Sequence, residues 1–295
     1  MRDPKAGIEA AVAALKEHGL ASDRCEILQN GSTLVLRLRE DLVARVIHDA
    51  GEGARAGVEW FARENSLAAH LVAAGAPVIA PHPAMPSQPM VRAGLPMSFW
   101  RFVERVDGEV SPFEAGRWLA HCLRLAQNVR LDLPELAVPR EAIGVLDQVA
   151  QRGLMSPEDV ALLRLVIEQG IALLQDSPRH VVHGDSHLGN AMLTTQGLLW
   201  TDWEDAFMGP LEWDLASLIC NARLLDGDEA SAAAMLQGWA QELGGWDEQR
   251  LSICLRLRVA VICAWYPLLY AAEDEARQRK LKERLRWLRQ SAEAP

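Results

Sequence analysis

The apolar periodicity of the chain changes at Ser111, and that change restricts the available folds more than any other feature. Before it, Glu26–Gln29, Thr33–Leu38 and Leu42–Ile47 are short runs rich in strand formers, separated by Asn30-Gly31-Ser32 and Arg39-Glu40-Asp41. Both separators have turn composition, so the three runs predict an antiparallel meander. From about Glu52 to Ala74 the spacing becomes helical, with Val58, Phe61, Leu67 and Leu71 on one face, and Gly75-Ala76-Pro77 ends it. Strand-like segments return near Met90 and over Met97–Val103. After Ser111 long helices dominate, opened by Ser111-Pro112-Phe113-Glu114 and again by Ser156-Pro157-Glu158-Asp159, each with a capping serine and proline at the first helical position. Within this second part Val181-Val182, Ala191–Leu193 and Leu198–Thr201 predict short strands beside polar loops. The expected class is α+β: a small antiparallel-sheet lobe over residues 1–106 and a larger, mainly helical lobe over 107–295, joined near Phe99–Asp107.

A length of 295 residues with 49% hydrophobic and 24% charged side chains supplies enough apolar material for buried cores in both lobes. The formal net charge of −10 gives no basic footprint for nucleic acid or an anionic membrane. Cys25, Cys122, Cys220, Cys254 and Cys263 are scattered and odd in number, which argues against a disulfide framework or structural zinc and suits a cytoplasmic protein. The N-terminal segment reads as an amphipathic helix, and the apolar run Val259–Ala272, interrupted by Pro267, is shorter than the roughly 18 residues a membrane span needs. Oligomeric state is not legible.

The chemistry concentrates in His183-Gly184-Asp185-Ser186-His187-Leu188-Gly189-Asn190, followed by Leu199-Trp200-Thr201-Asp202-Trp203-Glu204. Any one Asp or Asn in a loop is commonly a turn cap. Together, an Asp followed five residues later by Asn, then an Asp just after a strand, fit phosphoryl transfer, which asks for a carboxylate near an acceptor hydroxyl and oxygen ligands for Mg²⁺. Asp185 would orient and deprotonate the acceptor, while Asn190 and Asp202 would hold Mg²⁺.

The segment resembles the aminoglycoside phosphotransferase and choline kinase-like family, whose signature approximates HGDxHxGN. His183, Gly184, Asp185, His187, Gly189 and Asn190 match it, whereas Ser186 and Leu188 stand where the family more often has an apolar residue and a proline. Farther on, Gly209–Ala216 resembles the family's Gly-x-x-x-x-Asp-Leu-Ala stretch, which implies that Asp214 braces the catalytic loop by accepting backbone amides. His183, just before the loop's aspartate, is expected to be a buried ring bracing the same loop. The resemblance implies a protein-kinase-like two-lobe fold, ATP or GTP as phosphoryl donor, Mg²⁺, and a small, possibly cationic acceptor such as an aminoglycoside, an amino sugar or a choline-like alcohol.

In the first lobe the likeness is looser. Arg45 occupies the place of the strand lysine that grips the nucleotide phosphates, with Glu64 as its expected partner and Glu59 as competitor. Gly31 and Ser32 stand in the phosphate-covering turn, and the segment carrying Trp100 and Phe102 resembles the hinge whose backbone receives the base. Trp200, Trp203 and Trp213 read as packing residues, and the basic run Arg277–Arg289 as a solvated helix face. Asp226, Asp228, Glu229 and Asp247 could meet a cationic acceptor or simply be surface charge. Two other readings stay open at this point: a catalytically lapsed nucleotide-binding pseudokinase, and a metal-dependent hydrolase using His183, Asp185, His187 and Asp202 on zinc.

Overall fold

The computed structural model describes residues 3–31, 33–47, 58–270 and 273–292. It resolves into two compact units, and they are not contiguous in sequence. One comprises Met1–Glu109, Asn128–Leu131 and Ala191–Glu204; the other comprises Val110–Gln127, Asp132–Asn190 and Asp205–Pro295. The simple division at residue 106 therefore misses a hairpin that the chain sends back to the first unit.

The first unit opens with α1 (Lys5–Glu17), followed by β1 (Glu26–Asn30), β2 (Thr33–Arg37) and β3 (Leu42–Ile47). The helix α2 (Val58–Ala73) comes next, then β4 (Met90–Arg92) and β5 (Leu95–Arg101). The expected start of α2 near Glu52 lies outside the described residues. The expected meander is part of a larger antiparallel sheet in the order β1-β2-β3-β5-β4. The strand β5 stops at Arg101, two residues short of the expectation, and the Phe102 amide adds one more bond in the same register, to the Asp41 carbonyl.

Alternation along β3 sorts its side chains between two faces. Leu34, Leu36, Ala44, Val46, Met97 and Phe99 join Ala10, Ala11, Ala14 and Leu15 of α1 in one core. Arg45 points the other way, over the ring of Phe61 on α2. The returning hairpin, β7 (Ala191–Thr194) and β8 (Gly197–Trp200), fastens itself through backbone bonds from Trp200 to Pro77 and from Val106 to Leu193. Trp200 itself is fully buried.

The second unit contains α3 (Pro112–Ala126), α4 (Ala137–Gln151), α5 (Pro157–Leu173), β6 (His180–Val182) and β9 (Phe207–Gly209). It ends with α6 (Glu212–Asn221), α7 (Glu229–Leu243), α8 (Glu248–Leu269) and α9 (Glu275–Ala292). Ser111 and Ser156 cap α3 and α5 as their sequences require, each accepting the amide three residues on. α3 and α7 approach until backbones touch: a methyl at Gly116 would lie 2.1 Å from the Met235 carbonyl oxygen, and one at Gly238 would lie 2.0 Å from that of Phe113.

α8 extends the apolar run toward its N-terminus into a helix of 22 residues, long and apolar enough to cross a bilayer. Its apolar length is instead mostly buried inside the protein, against α4, α5, α6 and α9. The basic run on α9 is not all solvated either. Arg284 is buried, donates to Asn221 and lies over the ring of Tyr266.

Candidate active site

In the second unit, β6 delivers the chain into the loop His183–Asn190, which closes with a short 3-10 turn over Leu188–Asn190. Asp214, fully buried at the start of α6, organises that loop. Its carboxylate accepts the His183 amide at 2.6 Å and the Gly184 amide at 3.0 Å, and the Ser186 hydroxyl lies 3.0 Å away. Burial pushes the Asp214 carboxyl up, while the charge of His183 and these donors oppose the rise. Ser186, at the position where the sequence departs from the family pattern, thus adds a buried donor to the brace. Trp213 donates from Nε1 to the Gly184 carbonyl at 2.8 Å, fixing the same peptide from its other side. His183 is buried, and its Nδ1 accepts the Asp185 amide at 3.3 Å.

Gly184 has φ of +90°, and a Cβ there would lie 2.0 Å from the Asp205 carbonyl oxygen. Only glycine suits both constraints. Asn190 donates from Nδ2 to the Asp185 carbonyl at 2.8 Å. The side-chain amide is thereby pinned with its carbonyl oxygen on the opposite branch, the atom a hard cation would use.

The Asp185 side chain is 29% exposed, and one of its oxygens, Oδ1, receives a hydrogen bond from Nη2 of Arg258. The other, Oδ2, lies 3.4 Å from His187 Nε2. Since His187 Nδ1 accepts the Gly189 amide at 3.0 Å, the neutral ring carries its proton on Nε2, facing the carboxylate. Burial would raise the Asp185 carboxyl, but the charge of Arg258, with help from His187, outweighs it and holds the group well below the usual carboxylate range. Arg258 was not singled out from the sequence. The signal was present: it recurs with Leu251, Cys254, Leu255 and Val261 at helical spacing, so it is an arginine in a core position of α8.

The first unit carries a second charged cluster. Arg45 Nη1 donates to both carboxylate oxygens of Glu64, at 2.6 and 2.5 Å, and its Nη2 reaches Asp202 and Glu204, each at 3.0 Å. Glu59, the competitor on α2, is exposed, whereas Glu64 is buried. Burial and the charges of Asp202 and Glu204 push the Glu64 carboxyl upward, with Arg45 pulling against them. Burial disfavours charge on Arg45, but the three carboxylates overcome it and keep the guanidinium protonated. Arg45 thus bridges Glu64, Asp202 and Glu204 with one guanidinium. Asp202 sits at φ +67°, a left-handed conformation that aspartate tolerates better than most residues. Glu204 is the participant the sequence reading passed over, although it stands two residues beyond Asp202.

The remaining candidates are placed as follows. Trp100 is buried and donates from Nε1 to Ser98, while the ring of Phe102 lies 3.5 Å beneath the Arg37 guanidinium. Gly31 lies in the β1–β2 turn, its amide directed to the Thr33 carbonyl, and Ser32 lies outside the described residues. Asp228 and Asp247 are N-caps of α7 and α8, which accounts for two of the four carboxylates considered for a cationic acceptor. Trp203 and Trp213 are buried, as packing residues should be. The zinc alternative finds no support: among the described residues, no three His, Cys, Asp or Glu side chains form a metal-binding group.

The sequence model of the phosphotransferase enzyme family matches residues 16–252, most of the chain, including the loop His183–Asn190 and the cluster around Arg45. The protein belongs to the phosphotransferase enzyme family. Among solved structures, an amicoumacin kinase in complex with AMP-PNP and Ca²⁺ superposes with a TM-score of 0.74 at 13% identity, over 99% of this chain and 96% of that one. A choline/ethanolamine kinase family protein from Mesorhizobium loti gives 0.63 at 18% identity, over 99% and 96%. A microcompartment-associated aminopropanol kinase gives 0.68 at 14%, over 94% of each chain. At these identities the likeness establishes the fold, which is the protein-kinase-like one that this phosphotransferase family uses. No curated protein matches the chain.

Proposed function

We propose that this phosphotransferase is a small-molecule kinase that moves the γ-phosphoryl group of ATP or GTP onto a hydroxyl of a small acceptor. The observation that carries the reading is the braced loop: Asp214 and Trp213 hold the Gly184 peptide, and the next residue presents an ionised carboxylate. In the reaction the acceptor oxygen attacks the γ-phosphorus while the bond from that phosphorus to the β–γ bridging oxygen breaks. The electron pair of that bond leaves with the nucleoside diphosphate, and the hydroxyl proton passes to Asp185.

A carboxylate held so far down its pKa range is a weak base, so Asp185 works first by aligning the hydroxyl. It takes the proton late, when phosphoryl transfer has drawn density from the oxygen. Asn190 and Asp202 are assigned to Mg²⁺, which when bound neutralises charge on the nucleotide phosphates. Their donors fit such an ion, since both offer hard oxygens and the Asp202 carboxylate is 41% exposed. Arg45 is assigned to the α- and β-phosphates, with Glu64 fixing its guanidinium from below. Gly31 and Ser32 are assigned to the phosphate-covering turn, and the backbone around Trp100 and Phe102 to the base. Aminoglycosides, amino sugars and choline-like alcohols are the first acceptors to try.

The metal assignment is tested with Asp202→Asn, chosen over alanine because asparagine also tolerates the left-handed backbone. Affinity for nucleotide in the presence of Mg²⁺ should fall by at least about 100-fold, since disturbing even the outer partners of a metal site costs about 10- to 100-fold and Asp202 is assigned as a ligand, with Mg²⁺-free affinity unchanged. Equal Mg²⁺-dependent affinity in variant and wild type, measured by calorimetry, would overturn the assignment.

A further inference from the structure

We infer that Arg258 is the positioning residue for Asp185, fixing Oδ1 so that Oδ2 is the oxygen offered to the acceptor hydroxyl. The inference rests on the assignment of Asp185 as the carboxylate that meets that hydroxyl.

Three observations carry it. Arg258 is 6% exposed and occupies a core position on α8, where an unpaired cation would be costly, so a pairing role explains its presence. Its position is set by packing, with the guanidinium carbon 5.7 Å from the centre of the Trp213 ring, and Trp213 also holds the Gly184 carbonyl. One aromatic side chain therefore fixes both the arginine and the loop that carries its partner. Finally, the two oxygens of Asp185 are in different company. Oδ1 faces a buried guanidinium on α8, whereas Oδ2 faces His187, whose side chain is 39% exposed.

A hydroxyl arriving from solvent meets Oδ2, and bonding at Oδ1 keeps the carboxylate from rotating away from it. Loss of such a restraint degrades near-attack geometry before it degrades binding. Among the described residues, the charged or titratable side chains that face the Asp185 carboxylate are Arg258 from α8 and His187 from its own loop.

The test uses Arg258→Met, which keeps length and loses charge, and Arg258→Lys, which keeps charge and loses the planar fork. The readouts are kcat and KM for MgATP hydrolysis with water as acceptor, with nucleotide affinity and a thermal melt of each variant alongside. In Arg258→Met turnover should fall about 10- to 100-fold, with little change in KM for MgATP or in nucleotide affinity. Arg258→Lys should recover part of the turnover.

A folded Arg258→Met protein with the kcat of wild type would overturn the inference. So would losses of equal size in both variants accompanied by lost nucleotide binding, and Arg258→Lys keeps the test open should Arg258→Met fail to fold. Failure of the underlying assignment is seen separately, as near-normal turnover by Asp185→Asn itself.

Discussion

Asp185→Asn is expected to lower kcat by about 10²–10⁴-fold, the usual contribution of positioned proton transfer, while nucleotide affinity stays near that of wild type. The amide keeps the size and one acceptor oxygen of the carboxylate, so the acceptor can still dock, but it cannot take the proton. It also strands the charge of Arg258, which is buried. Some loss of stability will follow, smaller than for a fully buried pair because the Asp185 side chain is 29% exposed. Thermal melts alongside single-turnover kinetics separate the two effects.

The pH dependence carries a sign that can be checked. Asp185 has a folded pKa below its unfolded value of about 3.9, so its ionisation contributes stability that is fully present above that value and is lost as pH falls from there through the folded value. No acid limb belonging to Asp185 should therefore appear in the kcat profile of the wild type near neutrality. His183 is the rival base, but its Nδ1 is occupied by the Asp185 amide and the ring is buried. A His183→Ala protein that loses turnover while Asp185→Asn retains it would reverse the roles.

Gly184→Ala is expected to be among the most damaging single-methyl changes the chain can suffer. Two costs coincide at this position. An alanine at φ +90° pays left-handed strain of roughly 1–2 kcal/mol, and its methyl would sit 2.0 Å from a backbone oxygen, so the loop or the Asp205 peptide must move. Forced repacking of that kind adds about 1–3 kcal/mol, and here the obstacle is main chain, which yields least. The displaced loop carries Asp185 with it, so turnover should fall together with stability. A melting temperature and a kcat both close to wild type would mean that Asp214 and Trp213 do not hold the loop as described.

Much of this architecture was legible in the sequence because local signals agreed with one another. The paired Ser-Pro starts of α3 and α5, the strand–turn alternation of β1 to β3, and the spacing from Asp185 to Asn190 are all short-range features. What was not legible depends on tertiary placement. Ala191–Glu204 follows the loop His183–Asn190 in sequence yet belongs to the sheet unit, because the Trp200 amide finds its partner at Pro77, far away along the chain. β9 is three residues long and exists through its ladder with β6, too short for periodicity to reveal. Arg284 lies in a helix whose neighbours along the chain are basic, and burial distinguishes it from the solvated arginines around it. Asp228 and Asp247 show the opposite error: they look available for a ligand until the helices they cap are seen.

The most direct test of the central claim is product analysis with the purified protein, MgATP or MgGTP, and a panel of aminoglycosides, amino sugars, choline-like alcohols and other hydroxyl compounds. At least one acceptor should gain a single phosphoryl group by mass, with one equivalent of nucleoside diphosphate formed, and Asp185→Asn should slow both by about 10²–10⁴-fold. A protein that yields no phosphorylated product from any compound and binds neither nucleotide more tightly with Mg²⁺ than without it would contradict that claim.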